Sequence, residues 1–144
     1  MPSTPGRFVG KVAIVTGAGQ GIGEAYARAL AAEGAAVVVA DINAETGSKV
    51  VAAIEADGGQ AVFTRTDVSS PESANAMAAT AIRSFGGIDY LVNNAAIYGN
   101  MKLDVLLSVD WDYYKSFMGV NLGGAGLHAC LLPVHGRPGR RRDR

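Results

Sequence analysis

Strand-like runs alternate along this chain with longer segments of helical periodicity, and that alternation limits the possible folds more than any other feature. The four runs occupy residues 11–16, 36–40, 60–66 and 88–92. Short, continuous apolar runs are typical of strands that are covered on both faces of a parallel sheet. Strands that alternate with helices of about 10–15 residues form right-handed crossover units. The pattern therefore predicts an α/β fold with a doubly wound parallel sheet.

Glycines and an apolar stripe define the first two predicted helices. The stripe, which a helix turns toward the core, consists of Ile22, Ala25, Tyr26, Ala29 and Leu30. Gly34 is placed to end this helix in a left-handed conformation. The second helix is predicted over residues 44–55, with Gly58 and Gly59 as its stop.

Capping residues mark the start of the third predicted helix. Either Ser69 or Ser70 can cap it, with Pro71 in the first turn and Glu72 completing a capping box for Ser69. This helix runs toward Phe85. A further helical segment covers about residues 110–132, and no strand follows it.

Composition fits one soluble globular domain. The 144 residues are 49% hydrophobic and 18% charged, which excludes disorder over most of the length. A lone cysteine, Cys130, excludes a disulfide framework and a multi-cysteine metal site. It suits a reducing compartment, so we expect a cytoplasmic protein with no metal. Residues 1–10 contain no apolar stretch long enough for a signal peptide.

Charge is balanced overall but uneven along the chain. Residues 1–136 carry eight basic and twelve acidic residues, whereas residues 137–144 carry five Arg and one Asp. The basic tail has no interleaved aromatic residue for base stacking, so we expect no nucleic-acid partner. Residues 116–134 carry no formal charge but are rich in glycine, which predicts a helix in a protein interior and no membrane span.

A glycine-rich loop joins the first strand to the first helix. Residues 16–23 read Thr-Gly-Ala-Gly-Gln-Gly-Ile-Gly. Missing Cβ atoms let the backbone approach a phosphate, and the free N–H groups of the helix start face the anion. A glycine-rich turn without a ligand is the alternative, and the strand–turn–helix context favours the phosphate site. No Lys-Ser/Thr pair follows a glycine as a P-loop requires.

Two aspartates end neighbouring predicted strands. Asp41 follows the second strand, where a carboxylate can accept hydrogen bonds from the adenosine ribose and repel a 2′-phosphate. The loop between Gly17 and Gly23 has no Arg to offset that repulsion, so NAD is favoured over NADP. A solvated strand end or a helix cap is the alternative for Asp41. Asp67 can meet the adenine edge, or it is a turn residue.

Together these residues resemble the short-chain dehydrogenase/reductase family in its NAD-preferring form. The resemblance covers about residues 10–133 and rests on five motifs in order: Thr16-Gly-x-x-x-Gly-Ile-Gly23, Asp41, Asp67-Val68, Asn93-Asn94-Ala95-Ala96 and the Asn121 segment. The family more often has Gly at the position of Ala96. The resemblance implies a Rossmann-type sheet, here incomplete, with about four strands in the order 3-2-1-4.

The resemblance also implies roles for particular residues. Pyrophosphate would lie along Gly17, Gln20, Gly21 and Ile22, the ribose at Asp41, and the adenine at Asp67 and Val68. The nicotinamide-side ribose would lie under Asn94, Ala95 and Ala96, while Asn94 holds the central strand. Asn121 matches the active-site Asn that bends the long helix and holds a water in the proton relay.

The family's remaining catalytic residues have no counterpart here. Its Ser and its Tyr-x-x-x-Lys pair lie well beyond the Asn121 position, and residues 117–144 contain no Ser, Thr, Tyr or Lys. Tyr98 and Lys102 have the right spacing, but Gly99 and Asn100 oppose the helix that would align them. We therefore expect hydride transfer between NAD(H) and an alcohol or ketone to be impaired or absent, with substrate binding only if a missing half completes the pocket.

These observations divide the chain into an N-terminal tail (residues 1–9), a partial NAD-binding domain (residues 10–133) and a basic, disordered tail (residues 134–144). The last segment fits a shifted reading frame or a premature end. A nucleotide-binding module without chemistry and a non-functional gene product are the alternatives. An exposed fourth strand would also invite self-association.

Overall fold

The computed structural model describes residues 6–97 and 110–122. Within them the elements are, in chain order, β1 (Val12–Thr16), α1 (Gly21–Ala32), β2 (Ala36–Asp41), α2 (Ala44–Ala56), β3 (Gln60–Arg65), α3 (Pro71–Phe85), β4 (Tyr90–Val92) and α4 (Trp111–Asn121). The predicted tail at residues 134–144, the helical segment beyond residue 122, and the Tyr98–Lys102 pair lie outside the described residues. No described helix is long and apolar enough to cross a membrane.

The four strands form one parallel sheet in the order β3-β2-β1-β4, which confirms the predicted fold class and strand order. β1 lies at the centre, and all of its residues are buried. β4 is shorter than predicted because its ladder begins only at Tyr90. Ahead of it, the Asp89 carboxylate accepts a hydrogen bond from the Val12 amide at 2.8 Å, a bond that a ladder carbonyl would otherwise accept.

Helices cover both faces of the sheet. One face packs against α1 and α2 through a cluster that includes Val15, Val37, Val39, Val50 and Ile54. The other face packs against α3 through a cluster that includes Ile14, Val38, Met77, Ala78 and Ile88. Val120 of α4 lies against this second cluster. The helices do not cover the polar residues at the carboxyl ends of the strands. Open α/β sheets bind ligands at this edge.

α1 buries mainly small residues, so the predicted apolar stripe was wrong except at Leu30, which is half-buried and packs against the core. The buried positions of this helix are Gly23, Ala27 and Ala31. Ile22 is 71% exposed and Tyr26 is 50% exposed. The cause is the close approach of the helix to the glycine loop, since a Cβ on Gly23 would collide with the Gly17 carbonyl oxygen. The face toward the sheet therefore takes mainly small side chains.

The start of α3 also differs from the prediction. Ser70 is the N-cap, and its Oγ accepts a hydrogen bond from the Ser73 amide at 3.2 Å, with Pro71 in the first turn. The Ser69–Glu72 capping box was wrong, because the Ser69 hydroxyl donates to Asp67 Oδ1 at 2.6 Å instead. The left-handed conformation predicted for Gly34 after α1 is confirmed by its φ of +91°.

Candidate functional site

A cavity of about 510 Å³ opens at the carboxyl edge of the sheet. Its lining comes from the segments that follow β1, β2, β3 and β4, and consists of Gly17, Gln20, Gly21, Ile22, Asp41, Ile42, Thr66, Asp67, Val68, Asn94, Ala95, Ala96, Ile97 and Val120. All ten residues predicted to contact a cofactor are among them. Asn121 is not, although its neighbour Val120 is. The structure thus brings residues up to 103 positions apart in sequence, Gly17 and Val120, into one lining.

The glycine loop after β1 is shaped by two left-handed glycines. Gly17 has φ +63° and Gly21 has φ +58°. A Cβ on Gly17 would lie 2.8 Å from Ala95 Cα, whereas a Cβ on Gly21 would meet nothing within 4 Å. No side chain caps the N-terminus of α1 at Gln20. The first amides of α1 have no partner within the helix and are available to an anion in the cavity.

Asp41 is held at the cavity wall by two backbone amides. Its Oδ2 accepts a hydrogen bond from Gly19 N at 2.7 Å, and its Oδ1 accepts one from Asn43 N at 2.9 Å. The cap of α2 is Asn43, whose side chain accepts from the amides of residues 45 and 46. Asp41 therefore does not cap α2, so one of the two alternatives to a ligand role for this residue is excluded. Sequence reasoning gave Gly19 and Asn43 no part in this arrangement.

Asp67 is both a turn residue and part of the cavity lining. Its Oδ1 accepts hydrogen bonds from the amide and the hydroxyl of Ser69, at 2.9 and 2.6 Å. The Ser69 hydroxyl, then its amide, hold the pKa of the Asp67 carboxyl below its ordinary value, and the charge of Arg65 adds to that lowering against the opposing effect of burial. The carboxylate is thus ionised at neutral pH and can accept a hydrogen bond from an amino group.

Thr16 joins the loop after β1 to the loop after β4. Its buried Oγ1 accepts hydrogen bonds from the amides of Asn94 and Ala95, both at 3.1 Å, and donates to the Val92 carbonyl at 3.3 Å. The Asn94 side chain donates in return to the carbonyls of Thr16 and Gly17. Sequence reasoning placed Thr16 in a motif without a role. The available signal was a hydroxyl at the end of an otherwise apolar strand.

Asn121 lies at the C-terminus of α4 and is bound to the segment after β4. Its Oδ1 accepts a hydrogen bond from Ile97 N at 2.7 Å, and its Nδ2 donates to the Ile97 carbonyl at 3.4 Å. This contact fixes α4 beside the cavity, because both Ile97 and Val120 line it. A water held by Asn121 stays a prediction.

Comparison with known proteins decides the family. A family model described as short chain dehydrogenase matches residues 11–131. The chain belongs to the short-chain dehydrogenase/reductase family. An uncharacterized oxidoreductase of Mycobacterium tuberculosis is 65% identical over 117 residues, which are 81% of this chain and 47% of that protein. The chain thus spans about half the length of the curated relatives that it matches.

Two solved structures of this family resemble the fold. A short chain dehydrogenase from Mycobacterium avium has a TM-score of 0.78 and 38% identity, covering 85% of this chain and 44% of that one. A 7α-hydroxysteroid dehydrogenase, complexed with NADH and 7-oxo glycochenodeoxycholic acid, has a TM-score of 0.78 and 38% identity, covering 89% and 49%. These structures confirm the Rossmann-type sheet as that of the short-chain dehydrogenase/reductase family.

In this short-chain dehydrogenase/reductase chain, the described lining of the cavity contains five polar side chains. Its polar side chains are those of Gln20, Asp41, Thr66, Asp67 and Asn94. No Tyr, Lys or Ser is among the described residues that line it. Residues 6–97 and 110–122 also contain no group of His, Cys, Asp and Glu that could hold a metal ion. The arrangement is suited to holding a ligand that carries phosphate, ribose and a flat base.

Proposed function

We propose that this chain is the NAD-binding portion of a short-chain dehydrogenase/reductase, a family whose reaction transfers a hydride between NAD(H) and an alcohol or ketone. The observation that carries the proposal is the single cavity in which all ten predicted cofactor residues converge. The NADH complex of the 7α-hydroxysteroid dehydrogenase supports the choice of ligand. The proposed NAD-binding domain spans residues 10–133, with residues 134–144 as a tail.

The pyrophosphate is assigned to the glycine loop. Gly17 and Gly21 provide the backbone turn, and Gln20 and Ile22 flank the uncapped start of α1. A diphosphate there would accept hydrogen bonds from backbone amides and gain from the helix dipole. The open space beside the Gly21 Cα leaves room for close approach of the ligand.

The adenosine is assigned to the ends of β2 and β3. Asp41 would accept from the ribose hydroxyls, Asp67 would accept from the adenine amino group, and Val68 would cover the ring. The nicotinamide-side ribose is assigned to Asn94, Ala95 and Ala96, whose backbone is fixed by Thr16. NAD is preferred over NADP because the Asp41 carboxylate would repel a 2′-phosphate.

The chemical step is proposed to be impaired in the chain as it stands. A bound nicotinamide supplies or accepts the hydride, but the accompanying proton needs a general acid or base. Asn121 is the one residue of the family's catalytic set that the sequence matches, and its side chain is engaged with Ile97. Loss of a general acid–base group alone lowers rates by roughly 10²–10⁴-fold.

A cytoplasmic location belongs to the same proposal. The one cysteine, Cys130, has no partner for an intramolecular disulfide, which suits a reducing compartment. Fractionation of the source cells tests this assignment, and recovery of the protein in an extracytoplasmic fraction would contradict it.

A fluorescence titration with NADH tests the proposal. Gly21→Val should raise the Kd at least about tenfold, because the new side chain would occupy the pyrophosphate path. Gly58→Val is the matched control: Gly58 has φ +83° and nothing within 4 Å of its Cβ position, as Gly21 does, but it lines a separate groove at the C-terminal ends of α1 and α2. Both substitutions strain the backbone by about 1–2 kcal/mol. Equal loss of binding in the two variants, or no binding by a folded wild-type chain, would overturn the proposal.

A further inference from the structure

The turn between β3 and α3 fixes the backbone of Asp67 through residues other than Ser69. The Asp67 amide donates a hydrogen bond to Ser73 Oγ at 2.9 Å, and the Asp67 carbonyl accepts one from the Ser70 amide at 3.1 Å. The next residue, Val68, is 8% exposed and belongs to the core cluster on this face of the sheet. These contacts hold the main chain of Asp67, and the direction of its carboxylate is set separately.

Two donors from Ser69 set that direction. The Ser69 amide and the Ser69 hydroxyl both donate to Asp67 Oδ1, at 2.9 and 2.6 Å. No donor within the described ranges, residues 6–97 and 110–122, reaches Asp67 Oδ2. An ionised carboxylate has about two acceptor positions on each oxygen, so the two bonds use the capacity of Oδ1. Oδ2 is the oxygen that is left for a ligand.

The hydroxyl bond is additional to the amide bond that closes the turn. An Asp oxygen that accepts from the amide two residues later forms such a turn by itself. Ser69 is exposed and does not cap α3, because Ser70 Oγ accepts from the Ser73 amide. The Ser69 hydroxyl therefore contributes neither core packing nor the helix cap. Rotation about χ2 of an aspartate is soft, so this second donor on Oδ1 narrows the range of positions that Oδ2 can take.

We propose that Ser69 is a positioning residue, whose hydroxyl aims Asp67 Oδ2 at the exocyclic amino group of a bound adenine. The inference rests on the proposed coenzyme site, in which Asp67 and Val68 line the cavity. The amino group of adenine donates hydrogen bonds, whereas hypoxanthine has an accepting carbonyl oxygen at the same ring position. A carboxylate held in one direction distinguishes the two bases, because it accepts from the first and repels the second.

Fluorescence titrations with NADH and with its hypoxanthine analogue test the inference. The readout is the ratio of the two dissociation constants, analogue over NADH, which we expect to be at least about 10 in the wild type. Ser69→Ala should lower this ratio at least about threefold, because the carboxylate is less well aimed. A purely structural role of Ser69 would weaken both coenzymes alike. Ser84→Ala, at an exposed position of α3, is the matched control and should change neither dissociation constant.

A pair of variants at the same position isolates the hydroxyl. Ser69→Thr keeps the hydroxyl, whereas Ser69→Val has a methyl group in its place and nearly the same shape. Both have room beside α4, since even a Cβ added to Gly119 would lie 3.9 Å from Ser69 Cβ. Ser69→Thr should keep the wild-type ratio, and Ser69→Val should lower it as Ser69→Ala does. The comparison decides the question even if Ser69→Ala fails to fold.

Three results would overturn the inference. Equal affinity of the wild type for the two coenzymes would show that Asp67 does not recognise the amino group, although the proposed coenzyme site would stand. A wild-type ratio in Ser69→Val would show that the hydroxyl does not position Asp67. Binding of neither coenzyme by a wild type that circular dichroism shows to be folded would remove the proposed function together with the inference.

Discussion

Asp41, which is proposed to bind the adenosine ribose, is fixed in place by two backbone amides. Its two carboxylate oxygens are held by Gly19 N and Asn43 N, at 2.7 and 2.9 Å. Its register partner on β3 is the exposed Arg65. Without the carboxylate, the amides of Gly19 and Asn43 would lose this acceptor, and backbone amides that point to one place attract anions. The proposed preference for NAD over NADP therefore depends on one side chain.

Replacing Asp41 should reverse that preference. Asp41→Ser is expected to weaken NADH binding at least about tenfold, because charged hydrogen bonds to the ribose are lost. The same change should strengthen NADPH binding by a similar factor, because the carboxylate no longer repels the 2′-phosphate. Parallel fluorescence titrations measure both constants. Asp57→Ser removes an exposed carboxylate from the groove at the C-terminal ends of α1 and α2, and it should change neither dissociation constant. An Asp41→Ser variant that still discriminates against NADPH as the wild type does would contradict this account.

Among the elements, α3 illustrates how local hydrogen bonds choose between two neighbouring caps. Ser69 and Ser70 have the same intrinsic propensity for the N-cap position of a helix, because both are serines. The Asp67 carboxylate accepts hydrogen bonds from both the amide and the hydroxyl of Ser69. Ser69 is thereby held in the preceding turn, and Ser70 is left to cap the helix through the Ser73 amide. The same turn lines the cavity at Asp67, so the start of α3 and the proposed adenine subsite share one turn.

Ser70→Ala should destabilise the chain by about 1 kcal/mol, because the Ser73 amide loses its acceptor. Urea denaturation measures the effect as a lower midpoint at unchanged slope. Ser48→Ala is the control. Ser48 is exposed within α2, so its replacement should change the free energy of unfolding by no more than about 0.5 kcal/mol. Equal effects at the two serines would show that Ser70 does not act as a cap.

For the molecule as a whole, coenzyme binding and turnover are expected to separate. The cavity is built by the segments after four strands, all within the described residues. Residues 117–144 supply no Ser, Thr, Tyr or Lys for proton transfer. Among the described strands, β4 pairs with β1 alone.

The purified chain should therefore bind NADH without oxidising secondary alcohols in the presence of NAD. Absorbance of NADH follows the reaction, and the 7α-hydroxysteroid dehydrogenase with its 7-oxo bile-acid ligand and NADH serves as the active control. Turnover by the chain at about 1–10³ s⁻¹, the ordinary range for enzymes, would refute the impairment.

The sequence was most informative about features that depend on residues close together in the chain. Strand runs and glycine positions predicted the parallel α/β sheet, and the family resemblance implied ten of the fourteen residues that line the cavity. The prediction failed on α1, because periodicity alone ranks Ile22 and Tyr26 as core residues. It also missed the parts that Thr16, Gly19 and Asn43 play, since each acts through partners 22 or more positions away or through its backbone.

Taken by itself, the amino-acid sequence determined the fold class, the strand order implied by its family resemblance, and the identity of the glycine loop and its aspartates. The fold class and the glycine loop follow from side-chain type and short-range spacing, whereas the strand order came from the resemblance alone. Only the tertiary structure decided which face of α1 is buried and which serine caps α3. It also decided how Asp41 is held. Those outcomes depend on distances between segments that are far apart in the chain, such as the approach of Gly23 to the Gly17 carbonyl, and no local pattern encodes such a distance.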